Sequence, residues 1–256
     1  MSGILQGKTA LVTGGARGIG GGISERLAAS GALVAINYAG REEAARETLA
    51  QIEAAGGRAF LLQGRLGTRE AAYDLAAKVA AEFVARTGEK GLDILVNNVG
   101  GGPSATVESA TQENWDRTIA NNMGSTFWMT QAVLPLLRDG GRIINISSAA
   151  SRLALEDWVL YSMAKAGVDN FTRSTAKFLG PRGITVNSVV PGLIATQGAV
   201  YTLSNDERTT AMAAQTAMGK AFGEVEDVAG VVHALASPAM GWVTGQAIEV
   251  SGGFKL

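Results

Sequence analysis

Short runs of contiguous apolar residues recur along the chain, and each is followed by a longer stretch in which apolar positions return every three or four residues. The first pattern marks strands buried on both faces, the second amphipathic helices. Read in order, the runs predict strands over Lys8–Val12, Leu33–Tyr38, Ala59–Gln63, Asp93–Asn97, Arg142–Ser147, Ile184–Val190 and Ala247–Val250. The intervening periodicity predicts helices over Gly21–Ser30, Arg41–Ala55, Glu70–Arg86, Gln112–Leu137, Trp158–Leu179 and Glu224–Ala236. Regular alternation of strand and helix implies an α/β fold: a single-domain, Rossmann-type, doubly wound parallel sheet with helices on both faces. Neither an internal repeat nor a Pro/Gly/Ser linker divides residues 1–256, so one domain is expected. The polar segment 197–219 breaks the pattern and reads as a lid over a substrate site.

Composition narrows the function by exclusion. A chain of 256 residues that is 46% apolar has enough material for one sizeable core. A formal charge of −1 without a polybasic run predicts no nucleic-acid partner. No apolar run approaches the ~20 residues of a membrane span, and the first residues lack a signal-peptide core, so a cytoplasmic location is expected. Cysteine is absent, which removes disulfide and thiol chemistry, and no His/Asp/Glu spacing suggests a metal site.

Two stretches carry candidate chemistry. Tyr161 and Lys165 stand four residues apart in a predicted helix, so both side chains leave one face. A cation beside a phenol favours the phenolate and lowers a pKa that is ordinarily near ~10. Ser148, just past the strand ending at Ser147, could hydrogen-bond a carbonyl oxygen while Tyr161 supplies its proton. The second stretch is T-G-G-A-R-G-I-G, from Thr13 to Gly20, between the first strand and the first helix. There Gly14, Gly18 and Gly20 allow a sharp turn and close approach of a ligand, and the helix start offers free N–H groups to a pyrophosphate. With the strand Leu33–Tyr38 it completes a βαβ unit suited to a dinucleotide. Asn97, Asn98, Ser148 and Pro191 all fall at carboxyl ends of predicted strands, where reactive groups of such sheets collect.

These motifs, with N-N-V-G at Asn97, N-N-M-G at Asn121, I-S-S at Ile146, Y-S-M-A-K at Tyr161 and P-G-L-I-A-T at Pro191, make the chain resemble a classical short-chain dehydrogenase/reductase over essentially its full length. It is similar in particular to NADP-dependent 3-oxoacyl-(acyl-carrier-protein) reductase-like carbonyl reductases. The resemblance implies a tetrad of Asn122, Ser148, Tyr161 and Lys165. Ser148 precedes Tyr161 by thirteen residues, and Asn122 follows Trp115 by seven, as in the family. It further implies cofactor contacts from Gly14, Arg17, Gly18, Ile19, Gly20, Asn37, Tyr38, Ala39, Arg65, Leu66, Asn98, Gly100, Tyr161, Lys165, Pro191, Gly192, Ile194 and Thr196. The implied reaction moves a hydride between NADP(H) and a carbonyl or secondary alcohol, Tyr161 exchanging the proton and Ser148 polarising the oxygen. Lys165 would lower the tyrosine's pKa and hold ribose hydroxyls, Asn122 would position a water beside it, and Thr196 would grip the carboxamide. A homotetramer is implied as well.

Cofactor preference turns on charge. Tyr38 stands where NAD-preferring relatives carry Asp, while Arg17 and Arg41 are available to a 2′-phosphate. The chain departs from the family at Arg65, which replaces an Asp that accepts from adenine, at Val99 and at Ser251. Trp128 replaces a docking arginine of the acyl-carrier reductases, though Arg182 remains available for that role. Ala149, Ala150, Leu155, Trp158, Leu193, Met212 and Met218 suggest an apolar small-molecule carbonyl substrate, while Trp158 and the methionines read equally as core or subunit contacts. His233 reads as structural. The alternatives are an NAD-linked alcohol dehydrogenase, which an acid at position 38 would favour, and a dinucleotide-binding sensor, which has no use for an intact tetrad.

Overall fold

A computed structural model describes residues 3–196 and 206–256. Seven strands run β1 Thr9–Val12, β2 Leu33–Tyr38, β3 Arg58–Gln63, β4 Leu92–Asn97, β5 Leu137–Ile146, β6 Thr185–Pro191 and β7 Ala247–Val250. All pair in parallel, in the spatial order β3-β2-β1-β4-β5-β6-β7. The winding direction reverses between β1 and β4, which opens a crevice at their carboxyl ends. Every residue of β1, β2, β4 and β6 is buried. Contiguous apolar runs are what a central strand covered on both faces requires.

Side chains of a strand alternate between faces, and the core divides accordingly. Val12, Val34 and Ile36 pack with Ile23 and Leu27 of α1 (Gly18–Ala29) on one face. On the other, Leu11, Leu95 and Ile143 pack with Leu75 and Phe83 of α3 (Arg69–Thr87). Helix α2 spans Glu42–Ala54. Asp93 anchors the base of the sheet by accepting from the Thr9 N–H at 2.9 Å, the Lys8 ammonium at 3.0 Å and Arg138 at 2.8 Å.

The single helix expected over Gln112–Leu137 is two: α4 (Gln112–Ile119) and α5 (Ser125–Val133), joined by a π-turn over Ala120–Gly124. It ends before Pro135, which disfavours helix at the residue preceding it. β5 therefore starts at Leu137 rather than Arg142. Leu92 pairs with Leu137 and Ile94 with Arg142, so the extra residues, Asp139–Gly141 included, are absorbed as an irregularity in the ladder.

Beyond α6 (Val159–Leu179) and β6, residues 197–205 of the expected lid lie outside the described residues. Its remainder contains α7 (Asp206–Ala213) and is pinned to the C-terminal segment, where the Ala217 and Met218 N–H groups donate to Gly253 and Gly252 at 3.2 and 3.1 Å. Arg152 clamps the same segment through both carboxylate oxygens of Glu249, each at 2.6 Å, and the Phe254 carbonyl. Helix α8 (Val225–Ala236) carries His233, whose ring nitrogen bonds the Ser30 hydroxyl at 2.8 Å, in keeping with a structural role. Among the described residues no helix is long and apolar enough to cross a membrane.

Candidate active site

Three elements bring the expected tetrad together. β5 delivers Ser148, which caps the 3-10 turn Ala149–Ser151 by accepting from the Ala150 N–H at 3.2 Å. α6 delivers Tyr161 and Lys165 from its first turns. The Ser148 side chain lies close enough to the tyrosine hydroxyl to favour its ionised form. The Lys165 side chain is buried, its ammonium donates to the Ile146 carbonyl at 2.8 Å, and it lies 5.6 Å from the centre of the Tyr161 ring.

Asn122 is fully buried in the π-turn. That turn shifts the helical ladder by one residue, and hydroxyls take up displaced carbonyls: Ser125 donates to Asn121 at 2.6 Å and Thr126 to Asn122 at 2.8 Å. The Asn122 amide then faces the loop after β4 and brackets Gly101, donating to its carbonyl at 3.0 Å and accepting from its N–H at 3.1 Å. A Cβ added at Gly100 would stand 2.9 Å from both the Asn122 oxygen and the Lys165 nitrogen. The two side chains therefore converge on this loop. Gly101 is a site residue that sequence reasoning missed, because its partner is fixed only once the π-turn forms.

The electrostatics differ from expectation in one respect. Burial raises the pKa of Tyr161 above its ordinary value, and the Ser148 side chain only partly offsets this. Desolvation therefore outweighs the expected depression by Lys165, whose ammonium is also engaged by the Ile146 carbonyl. Burial also lowers the pKa of Lys165 to about 8, against the pull of Asp169 one turn on. Tyr161 is accordingly a neutral phenol at neutral pH, the form that donates a proton.

The glycine loop lies beside this group, over the end of β1. Gly14 and Gly18 have φ of 60° and 52°, which L side chains rarely adopt, and a Cβ on Gly20 would lie 2.2 Å from the Gly14 carbonyl oxygen. Asparagines at the ends of the two neighbouring strands brace the loop. The Asn98 amide donates to the Thr13 and Gly14 carbonyls at 3.0 and 3.1 Å. Asn37 accepts from the Gly14 N–H at 3.3 Å while donating to Leu62 and Gly64 at 3.2 and 2.9 Å. Both ends of the Asn37 side chain are thus used within the protein, so what it lends a ligand is the shape of the loop.

Beyond the loop, a cleft of about 340 Å³ is lined by Arg17, Arg41, Thr48, Thr196 and the start of α1. The pKa of Arg17 is lowered by partial burial and by the neighbouring Arg41. Two cations converging on a helix N-terminus are a fitting seat for a phosphate. Tyr38 is buried in the core, so the position where an acid would repel that phosphate holds an uncharged ring. Arg65 is exposed and Leu66 buried at the end of β3. Ile19 packs against the core, and Ala39 accepts from the Gln63 amide at 3.3 Å. After β6, Gly192 donates to the Val250 carbonyl at 2.9 Å and Ile194 is buried, with Pro191 paired to Val250 in the sheet. The lined cleft, the left-handed glycines and the paired arginines together fit an NADP-type dinucleotide.

Of the two positions weighed for carrier docking, one holds Trp128 and the other the partly exposed Arg182. Trp128 is half-buried and packs edge-on against Phe127 with ring centres 4.8 Å apart. Arg182 is engaged by Asp139 at 2.7 Å and by the Leu134 and Leu137 carbonyls.

Known proteins share this fold and much of this sequence. A family profile described as enoyl-(acyl carrier protein) reductase matches residues 14–255. The chain is 36% identical to a 3-oxoacyl-[acyl-carrier-protein] reductase of Synechocystis sp., covering 98% of each protein. Among solved structures it is similar to LugOII, described as a promiscuous reductase catalysing keto-reduction at C1 during lugdunomycin biosynthesis, with 45% identity, coverage of 98% and 99%, and a TM-score of 0.93. It is also similar to the angucycline C-6 ketoreductase LanV with bound NADP, with 40% identity, coverage of 100% and 98%, and the same TM-score of 0.93.

Proposed function

The chain belongs to the short-chain dehydrogenase/reductase family of oxidoreductases, and from that premise we propose that it is an NADPH-dependent ketoreductase acting on a free, largely apolar ketone. The observation that carries this reading is the convergence of Ser148, Tyr161, the buried Lys165 and the Asn122 clamp around Gly100 and Gly101, beside a cleft holding Arg17 and Arg41. NADPH, when bound, supplies the hydride. The Tyr161 hydroxyl donates its proton to the carbonyl oxygen, and Ser148 donates a hydrogen bond to the same atom as charge develops on it. Lys165 stabilises the phenolate left behind and is within reach of ribose hydroxyls. Asn122 holds the loop backbone that borders both and is suited to position a water beside Lys165. Gly14, Gly18, Gly20 and the start of α1 receive the pyrophosphate, Arg17 and Arg41 the 2′-phosphate, and Thr196 with Ile194 the carboxamide.

A carrier-bound 3-oxoacyl substrate, as the name of the Synechocystis relative implies for that protein, is disfavoured because Arg182 is committed to Asp139 and the β5 turn. The proposed assembly is a homotetramer and the setting the cytoplasm. An exposed apolar surface on α5 and α6, with Phe127 43%, Met163 44% and Phe178 71% exposed, supports association of copies. Light scattering should give four chains of 26.3 kDa per particle.

The test follows nicotinamide absorbance with NADPH and NADH against simple and cyclic ketones. Turnover should favour NADPH, and Tyr161→Phe should abolish it while leaving NADPH binding near the wild-type value. Substantial reduction by Tyr161→Phe, or preference for NADH, would overturn the assignment.

A further inference from the structure

Next to Tyr161 the surface opens into a cleft of about 820 Å³, walled on one side by Thr106, Val107 and Glu108 and on the other by the segment from Ala154 to Val159. Trp158 stands between the two sites. Its ring meets the Tyr161 ring edge-on, with centres 5.8 Å apart and planes at 73°, and it also lines the cleft, where it remains 39% exposed. A tryptophan left this open beside a proton donor has a free aromatic face.

The main chain, rather than packing of the ring, holds Trp158 there. The Asp157 carbonyl accepts from both the Ala105 N–H and the Ser104 hydroxyl at 2.8 Å, and Ala105 and Trp158 form a β-bridge across the cleft. The Trp158 N–H donates back to the Leu155 carbonyl at 3.1 Å, and its own carbonyl accepts from Ser162 at 2.9 Å. The two walls are thus tied at their base, and the ring is presented as a fixed surface. Such a surface favours a rigid planar partner, which loses little conformational freedom on binding, over a flexible acyl chain. The charged groups on the walls are Glu108, Glu156 and Asp157, all exposed and all acidic, so the mouth repels anionic ligands.

We propose that this cleft is the substrate-body subsite and that Trp158 is the specificity-determining residue in it, selecting planar aromatic ketones without an anionic group by stacking. The inference rests on the ketoreductase reading, since the carbonyl must sit at Tyr161 for the rings attached to it to reach Trp158.

Two measurements separate the two claims. The first needs no turnover: calorimetric titration of 1-naphthol, which cannot be reduced, into the full-length protein saturated with NADP+. Wild type should bind it, Trp158→Ala should bind about tenfold more weakly, Trp158→Phe should recover most of the loss, and 1-naphthalenesulfonate should bind wild type at least tenfold more weakly than the naphthol. The second compares NADPH oxidation with 1-tetralone and with ethyl acetoacetate. Trp158→Ala should raise KM for tetralone about tenfold more than it raises KM for ethyl acetoacetate, so that the ratio of the two losses reads the stacking contact. Equal naphthol affinity in wild type and Trp158→Ala, equal losses on both ketones, or sulfonate binding as tight as naphthol would overturn the subsite. Reduction of neither ketone, with Trp158-dependent naphthol binding intact, would instead count against the ketoreductase reading alone.

Discussion

Gly100→Ala is the sharpest probe of the site because it adds one methyl group at the point where Asn122 and Lys165 meet. The added carbon would stand 2.9 Å from the Asn122 oxygen and 2.9 Å from the Lys165 nitrogen, closer than such atoms pack. Gly100 has no left-handed φ, so alanine is acceptable to the backbone and the effect falls on the neighbours. Asn122 is fully buried and holds Gly101 at both ends, whereas the lysine is a long side chain with a movable end. Lys165 therefore gives way, and with it the bond to the Ile146 carbonyl. A hydrogen bond to a charged group contributes about 1.5–3 kcal/mol, and if that orientation is needed in the transition state the loss in kcat/KM is about 10- to 150-fold. The assay is NADPH oxidation with a saturable ketone. Gly40→Ala, at a position with open space and no left-handed φ, serves as the control for alanine itself. Activity of Gly100→Ala within twofold of the control would refute the convergence of Asn122 and Lys165 on this loop.

If Arg17 holds the 2′-phosphate as proposed, Arg17→Ala should raise KM for NADPH about tenfold and leave KM for NADH nearly unchanged; equal increases would remove that assignment. With Lys165 at about 8 and Tyr161 raised, kcat/KM for reduction should fall as pH rises through about 8, since Lys165 loses its charge while the phenol stays protonated; an alkaline limb nearer 10 would exclude Lys165 as its origin. The same group acts oppositely on stability. Its folded value lies below 10.5, so between about 8 and 10.5 the unfolded chain holds more protons and the contribution of Lys165 to stability rises with pH. Asp93→Ala should lower stability by about 2–4 kcal/mol, or Tm by roughly 5–15 °C, by freeing Lys8, Thr9 and Arg138 at once. Burial pushes the Asp93 carboxyl up, but the Thr9 and Lys8 bonds bring it below its ordinary value, so that deficit should shrink as acid protonates the group in the wild type. Thermal melts of both proteins at pH 7 and pH 3 check this, and an unchanged gap would refute it.

The sheet was legible because its central strands are buried on both faces and therefore spell continuous apolar runs. Leu33–Tyr38 and Ala247–Val250 are found as the pattern predicts. Legibility failed where a local exception carries the geometry. Periodicity across Gln112–Leu137 reads as one helix because a π-turn shifts the register by only one residue, and nothing in A-N-N-M-G announces it. D-G-G at Asp139 interrupts the apolar run, and there Gly140 takes a φ of 75° while β5 pairs with β4 only at Leu137 and again from Arg142. The end of the helix was readable in principle from Leu134–Pro135.

For the site, the positions of Tyr161, Lys165 and Ser148 follow from spacing, but the sign of the electrostatic effect does not. A phenol and an ammonium one turn apart suggest mutual stabilisation of charge, which lowers the phenol pKa only where that attraction outweighs desolvation. Here burial acts on both partners and drives each toward its neutral form, raising the tyrosine and lowering the lysine. Burial is a property of the whole fold, set by the loop after β4, the π-turn and the end of β5 closing around α6, and no local stretch encodes it. The consequence is chemical. Tyr161 is therefore a neutral but weak acid, and proton transfer to a ketone oxygen depends on Ser148 and Lys165 stabilising the phenolate that forms. The spacing of Y-S-M-A-K gives the pairing but not that balance.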